Sequence, residues 1–361
     1  MSIHSEQVDV SVHQGLGLIR LNRPDKLNAL MPDMVEAVHS SLRAWRYNGD
    51  VKAIALLGEG PRGFSAGGDL QNFRRALLAG EAEQMLGILA AEFELAAAVQ
   101  TYPKPVVSFM TGVTMGAGFG IASAASVRIV TPDSRLAMPE VRVGYVPDVG
   151  GSLWLGRAPG RIGEHLALTG DSIGAGDAVE FGLADFCIAQ DAVEEVLSSI
   201  ADLCALPGQD LAMGLQIMHG VPQRSELNVQ RAWIDEAYAG SDVAEILAKL
   251  DASPWPAAAE AAERIRANSP IACETALQLV RESRAEDELR GALEREHRAA
   301  SYVMDTPDVV EGIRALLVDK DKAPRWSVPR ADDVDTDRIA RMLEPQDDEL
   351  GLWDDSEEGG W

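Results

Sequence analysis

Residues 8–21, VDVSVHQGLGLIRL, alternate apolar and polar positions on either side of Gln14-Gly15. A period of two broken by a turn dipeptide predicts a β-hairpin. After the loop NRPDKLNAL, residues Met34, Val35, Val38, Leu42 and Trp45 recur at helical spacing, which places a helix near Met31 to Tyr47 with Pro32 and Asp33 in its first turn. Lys52 to Leu57 reads as a strand, Gly58 to Gly68 as a loop, and Asp69 to Gln100 as mostly helix with a break near Gly80. Val106 to Met110 (VVSFM) is a short apolar run suited to a buried strand, and the glycine-rich Gly112 to Gly120 reads as a turn into a helix. Strand and helix alternate to about residue 190, which implies parallel strands joined by helical crossovers. Helical patterns dominate from Asp191 onward, with proline-containing breaks near 207, 222, 254, 270 and 307. APRWSVPRADD, around 323–333, reads as a linker. The expected organisation is an α/β core over 1–190, a helical region over 191–323, and a linker with an acidic tail over 324–361.

Of 361 residues, 46% are hydrophobic and 25% charged, enough to bury a sizeable core. The N-terminus lacks a basic region followed by an apolar stretch, and no window offers about 18 uninterrupted apolar residues. A cytoplasmic protein without a membrane segment is expected. Three widely spaced cysteines, Cys187, Cys204 and Cys273, fit reduced buried thiols, and six histidines without HxH or HExxH pairing give no reason to expect a metal. A net charge of −25 opposes binding to nucleic acid. Part of that charge is local: residues 331–361 hold twelve acids against Arg338 and Arg341. Such a run reads as a solvated tail, in which Trp353 and Trp361 are available to dock on a neighbour.

The chemistry concentrates between Tyr102 and Gly151, where a glycine-rich helix start is followed by two acids, Glu140 and Asp148. Backbone N–H groups at a helix start lack intrahelical partners and lie at the positive end of the dipole, so they can hold a developing oxyanion. The bland alternative is that these glycines only let a helix pack closely on a strand. GFSAG at 63–67 satisfies the G-x-S-x-G nucleophile pattern, but Ser65 follows the strand by a loop, and His165, His219 and His297 have no distinctive setting. GAGFG lacks the third glycine of a dinucleotide fingerprint.

Residues 15–190 resemble the enoyl-CoA hydratase/isomerase, or crotonase, superfamily. The matching pieces are RPDKLNAL (23–30), GFSAGGDL (63–70), PKPVVSFMTGVTMGAGFG (103–120), AMPE (137–140) and ALTGDSIGAGDAVEFGLAD (167–185). PDVGG (147–151), SPIACETALQL and DVVEGIRALLVDKDKAPRW are similar to the 3-hydroxyisobutyryl-CoA hydrolase branch and extend the likeness to about residue 326. The resemblance implies an α/β fold of repeated ββα turns, a crotonase-like spiral core, with a helical C-terminal region. It also implies an acyl-CoA thioester in a cleft, its carbonyl held by the N–H groups of Gly68 and Ala117. Lys26 and Leu27 would lie near the nucleotide end of coenzyme A, with Ala66 and Gly67 offering backbone contacts.

Hydratases of the superfamily use two glutamates, and the first would fall at Gly120, which cannot transfer protons. Glu140 stands at the second. The resemblance therefore implies hydrolysis, with Glu140 attacking the thioester or activating water. Asp148 would orient the 3-hydroxyl or the water, and Glu92 would face the substrate. Coenzyme A is then part of the substrate, and no separate cofactor is implied. Related proteins form trimers or hexamers, so a homo-oligomer is possible. An enoyl-CoA hydratase/isomerase acting on another acyl-CoA is one alternative, and a noncatalytic acyl-CoA binding subunit is the alternative from another class.

Overall fold

The structure, a computed structural model, describes residues 5–206, 223–286 and 288–345. The breaks at 207 and 222, His219, and the acidic end with Trp353 and Trp361 lie outside those residues.

The expected hairpin is β1 (Val8–His13) paired antiparallel with β2 (Leu16–Leu21), Val8 opposite Leu21. Gln14 and Gly15, at φ 50° and 89°, supply the left-handed turn that matches strand twist. Next come α1 (Pro32–Trp45), β3 (Ala53–Gly58), α2 (Leu70–Leu78) and α3 (Ala82–Gln100). Gly80, at φ 78°, divides α2 from α3 where the break was expected. β4 (Val106–Met110) and β5 (Val113–Met115) precede α4 (Ala117–Ser123), and β6 (Val127–Val130) and β7 (Arg135–Ala137) follow. α5 (Gly151–Arg157), α6 (Ile162–Thr169) and α7 (Ala175–Glu180) lead to β8 (Phe186–Cys187) and α8 (Val193–Ala205).

The main sheet runs β1-β2-β3-β4-β6-β8, parallel from β2 onward, and β5 pairs with β7 in a second, two-stranded sheet. Ser65 bridges Thr114 in parallel beside that second sheet, so the turns that begin at β3, β4 and β6 visit the main sheet, then the small one, then a helix. This is the crotonase-like ββα spiral. β5 interrupts what the sequence presents as one glycine-rich turn; three residues are too few for a period of two to register.

Both faces of the main sheet are covered, which is why β3 and β4 read as continuous apolar runs. Leu16, Ala55, Phe109 and Ile129 meet Leu197, Ile200 and Cys204 of α8 on one face. The other face opens into one cluster that runs from Val8 to Leu343 and includes the helices Pro270–Ser283 and Leu289–Met304. Residues 324–345 are not a free linker. Trp326 Nε1 donates to Ala267 O at 3.1 Å, and the helix Thr336–Leu343 buries Ile339 and Leu343.

Candidate active site

Two loops are stitched side by side. Ala66 N donates to Leu27 O at 2.9 Å and Leu30 N to Gly67 O at 2.8 Å. Asn28 Nδ2 reaches the carbonyls of Glu59 and Gly63, and Arg23 pairs with Asp69 at 3.0 Å. Asp69 also caps α2 through Asn72 N. Lys26 is exposed on this rim and Leu27 half-buried, at φ 54°.

The stitched loop lies against the start of α4 so closely that both contact points are glycine. A Cβ on Gly67 would sit 2.9 Å from Met115 O and 3.2 Å from Ala117 N; one on Gly116 would sit 2.9 Å from Glu140 Oε1. Gly68 and Ala117 are thereby brought beside each other's loops. Among the described residues neither of their N–H groups has a hydrogen-bond acceptor, and Ala117 is the first residue of α4, where the helix supplies none.

Three carboxyls converge here. Glu92 comes from α3, with Oε1 4.0 Å from where a Cβ on Gly68 would lie. Glu140 opens the 3-10 turn Glu140–Val143, and Asp148 lies in the loop before α5. Glu92 and Asp148 are 5% and 4% exposed, which rules out a solvated helix face for Glu92. Glu140 keeps a partly exposed flank, but its Oε2 is sealed from solvent and has no partner. Burial, then the charge of Asp148, pushes Glu92 up to about 8 and Glu140 well above the carboxylate range. Burial also raises Asp148, to about 7, against the pull of a hydrogen bond from Tyr145.

Gly120 explains why a second glutamate has no room at its position. A Cβ there would lie 2.4 Å from Val149 O, so the Pro147–Gly151 loop occupies that space and presents Asp148 from its own backbone. Val149 sits at φ 54°, a left-handed conformation rare for a β-branched residue.

Two neighbours of these acids escaped the sequence reading. Tyr145 donates to Asp148 Oδ2 at 3.1 Å. Glu296, fully buried on the helix Leu289–Met304, accepts from Gly150 N at 2.7 Å, Ser152 N at 2.9 Å and Ser152 Oγ at 2.5 Å. A signal existed for Glu296: it falls seven residues after Leu289, on the stripe of Leu289, Ala292, Leu293, Ala300 and Val303, where an acid is out of place.

Ser65 serves the loop. Its Oγ donates to Asn28 O at 2.9 Å and accepts from Gly67 N at 3.2 Å, and the residue is fully buried. His165 is engaged with the Tyr238 hydroxyl at 2.8 Å, and His297 stacks edge-on with Phe93. A separate cleft of about 620 Å³, lined by Arg135, Arg142, Asp171 and Arg264 among others, contains none of the three acids.

The sequence model of the enoyl-CoA hydratase/isomerase family matches residues 16–343. The chain belongs to this family. A Gallus gallus relative, 3-hydroxyisobutyryl-CoA hydrolase, mitochondrial, is 31% identical, with 92% of this chain and 87% of the relative covered. An Arabidopsis thaliana relative, small ribosomal subunit protein mS47, is 32% identical, covering 92% and 84%. Among solved structures, a carnitinyl-CoA dehydratase from Mycobacterium thermoresistibile superposes with a TM-score of 0.89 at 38% identity, covering 96% of this chain and 99% of that one. The crotonase fold expected from the motifs is therefore present, and in this family member the helical region packs onto the spiral core. No helix among the described residues is long and apolar enough to cross a membrane.

Proposed function

We propose that the chain hydrolyses a short-chain 3-hydroxyacyl-CoA thioester, with 3-hydroxyisobutyryl-CoA the first substrate to test. The observation that carries this reading is the set of Glu92, Glu140 and Asp148 around two unclaimed backbone N–H groups, together with a glycine at 120. The Gly68 and Ala117 amides hold the thioester oxygen as it gains charge, an interaction for which one donor is worth roughly 3 kcal/mol in comparable sites. Glu140 is the principal carboxylate, as nucleophile or as base toward water, and Asp148 orients the hydroxyl or the water and shares proton transfer. Glu92 faces the acyl group, and Lys26, Leu27, Ala66 and Gly67 line the approach of coenzyme A. The relative named as a 3-hydroxyisobutyryl-CoA hydrolase supports this assignment.

The relative named as a ribosomal subunit protein favours a second reading, a noncatalytic member that keeps the fold. The buried Glu92 and Asp148 and the half-buried Glu140 argue against it, because such carboxyls are costly to desolvate and a scaffold needs none of them. Colorimetric thiol release from 3-hydroxyisobutyryl-CoA, 3-hydroxypropionyl-CoA and acetyl-CoA separates the readings. Turnover that collapses in Glu140→Gln and Asp148→Asn supports hydrolysis. Tight coenzyme A binding without thiol release overturns it.

A further inference from the structure

The Tyr145 hydroxyl meets Asp148 Oδ2 from a fixed position. Phe73 of α2 packs edge-on against its ring with centroids 5.5 Å apart, and its backbone N–H is tied to Glu140 O at 3.0 Å. At 4% exposure the phenol has little access to water. Burial, then the charge of Asp148, holds it well above the ordinary tyrosine range, so it remains protonated and acts as a donor. Among the described residues no side chain donates to the carboxyl of Glu92 or Glu140. Among the described residues, the charged groups that act on this set are Glu92 from α3, Glu140 from the turn, Asp148 from the loop beyond it and Glu296 from the helix Leu289–Met304. Carboxyls this close cannot all ionise, and the one with a donor ionises first.

We propose that Tyr145 is a positioning residue that, by donating to Oδ2, seats the site's negative charge on Asp148 in preference to Glu92 and Glu140. Within the thioesterase reading, on which its kinetic consequence rests, Glu140 becomes a base or nucleophile only when its proton passes to Asp148. That same proton is then available to the thiolate sulfur when the C–S bond breaks, which returns Asp148 to its starting charge. Tyr145 thus sets the direction of the first proton transfer without touching the thioester.

Tyr145→Phe removes the donor and keeps the ring. In protein labelled with ¹³C at the aspartate carboxyl, with the Asp148 signal assigned by its loss in Asp148→Asn, the Asp148 midpoint moves up by about one pH unit in Tyr145→Phe. Thiol-release kcat then falls about tenfold near pH 6 and recovers near pH 9, with KM little changed. An unmoved Asp148 midpoint, or a rate loss equal at all pH values, overturns the proposal. If wild-type protein releases no thiol, the hydrolase reading fails on that result alone, and the carboxyl titration still decides the role of Tyr145.

Discussion

Replacing Glu296 asks whether the C-terminal helices hold the loop that carries Asp148 or merely cover it. Its carboxylate takes three donors, and two of them, Gly150 N and Ser152 N, belong to the first turn of α5, which cannot satisfy them internally. Glutamine keeps the shape, but its Nε2 carries two protons and no free lone pair, so it must confront one backbone N–H whichever way it turns. One buried donor left unpaired costs about 1–3 kcal/mol. Glu296→Ala leaves both unpaired, about 2–6 kcal/mol. Part of this is offset because the carboxyl itself is unhappily buried, its pKa pushed up to about 8. For 361 residues at about 2.1 cal/mol/K each, 1 kcal/mol displaces Tm by about 1.3 °C. The expected falls are therefore about 1–4 °C for glutamine and about 3–8 °C for alanine.

The functional effect should exceed the stability effect. Val149 is held at φ 54°, and a left-handed non-glycine residue lies about 1–2 kcal/mol above its right-handed alternatives. Once the clamp is loosened, the loop has that much to gain by turning over, and Asp148 turns with it. Thiol-release kcat should drop about 5- to 150-fold, the range set by roughly 1–3 kcal/mol of lost positioning, with KM changed only a few-fold. Calorimetry and single-substrate kinetics on the same preparations make the comparison. A Glu296→Gln protein that melts early but keeps wild-type kcat would show that the clamp supports the fold and not the loop geometry.

Three further outcomes follow from the same geometry. Glu92 has a folded-state pKa of about 8 against an ordinary 4.5, so the folded chain keeps a proton that the unfolded chain has released between those values. Its contribution is complete below about 4.5 and lost as pH rises through about 8; chemical denaturation should show stability falling over that window, and Glu92→Gln should remove a slope worth up to about 5 kcal/mol while lowering turnover. A variant with the same slope as wild type would contradict the buried placement of Glu92. Ser65→Ala deprives Gly67 N of its acceptor and should cost about 1–2 kcal/mol in denaturant titrations, with thiol release reduced less than about tenfold; loss to background would restore the serine-nucleophile reading. Gly120→Glu drives a Cβ to within 2.4 Å of Val149 O, so it should destabilise by about 1–3 kcal/mol or more and gain no hydration of crotonyl-CoA. Measurable hydration would mean that the Pro147–Gly151 loop can yield the space.

The elements legible in the sequence are those whose order is local. β4 has the boundaries its apolar run predicts, and the break between α2 and α3 falls at Gly80, because neither depends on a distant partner. β5 depends on β7, more than twenty residues away in the chain, and its three residues carry no pattern of their own. The candidate acids were found through motifs that the family likeness supplies, and the structure brings Glu92, Glu140 and Asp148 to one place. Tyr145 was illegible for a different reason. In VGYVPD it reads as an apolar core position, and its ring is one; only the hydroxyl at its tip, meeting Asp148, makes it part of the site. The docking of residues 324–345 was masked by their prolines and charges, since the apolar anchors Ile339 and Leu343 occupy one short helix face.

The division of labour between core and helical region follows from where the close contacts fall. Every acid proposed for the chemistry, Glu92, Glu140 and Asp148, lies before residue 150, in the spiral core. Their final placement lies elsewhere. The turn that carries Glu140 ends against the helix Asp308–Ile313, where a Cβ on Gly312 would come 2.5 Å from Val143, and Asp308 in turn accepts from Ser269 Oγ and Ser327 N. The loop that carries Asp148 ends on Glu296. Both acids therefore stand at the ends of segments whose far side is fixed by residues 269–327, and a shift of the helices would move them relative to α3 and Glu92. The Gly68 and Ala117 amides, proposed as oxyanion donors, need no such support, because main-chain bonds of the stitched loops and the start of α4 set their backbone. Side-chain acids on loops do need it, and the enlarged helical region supplies it through one buried carboxylate and one glycine contact.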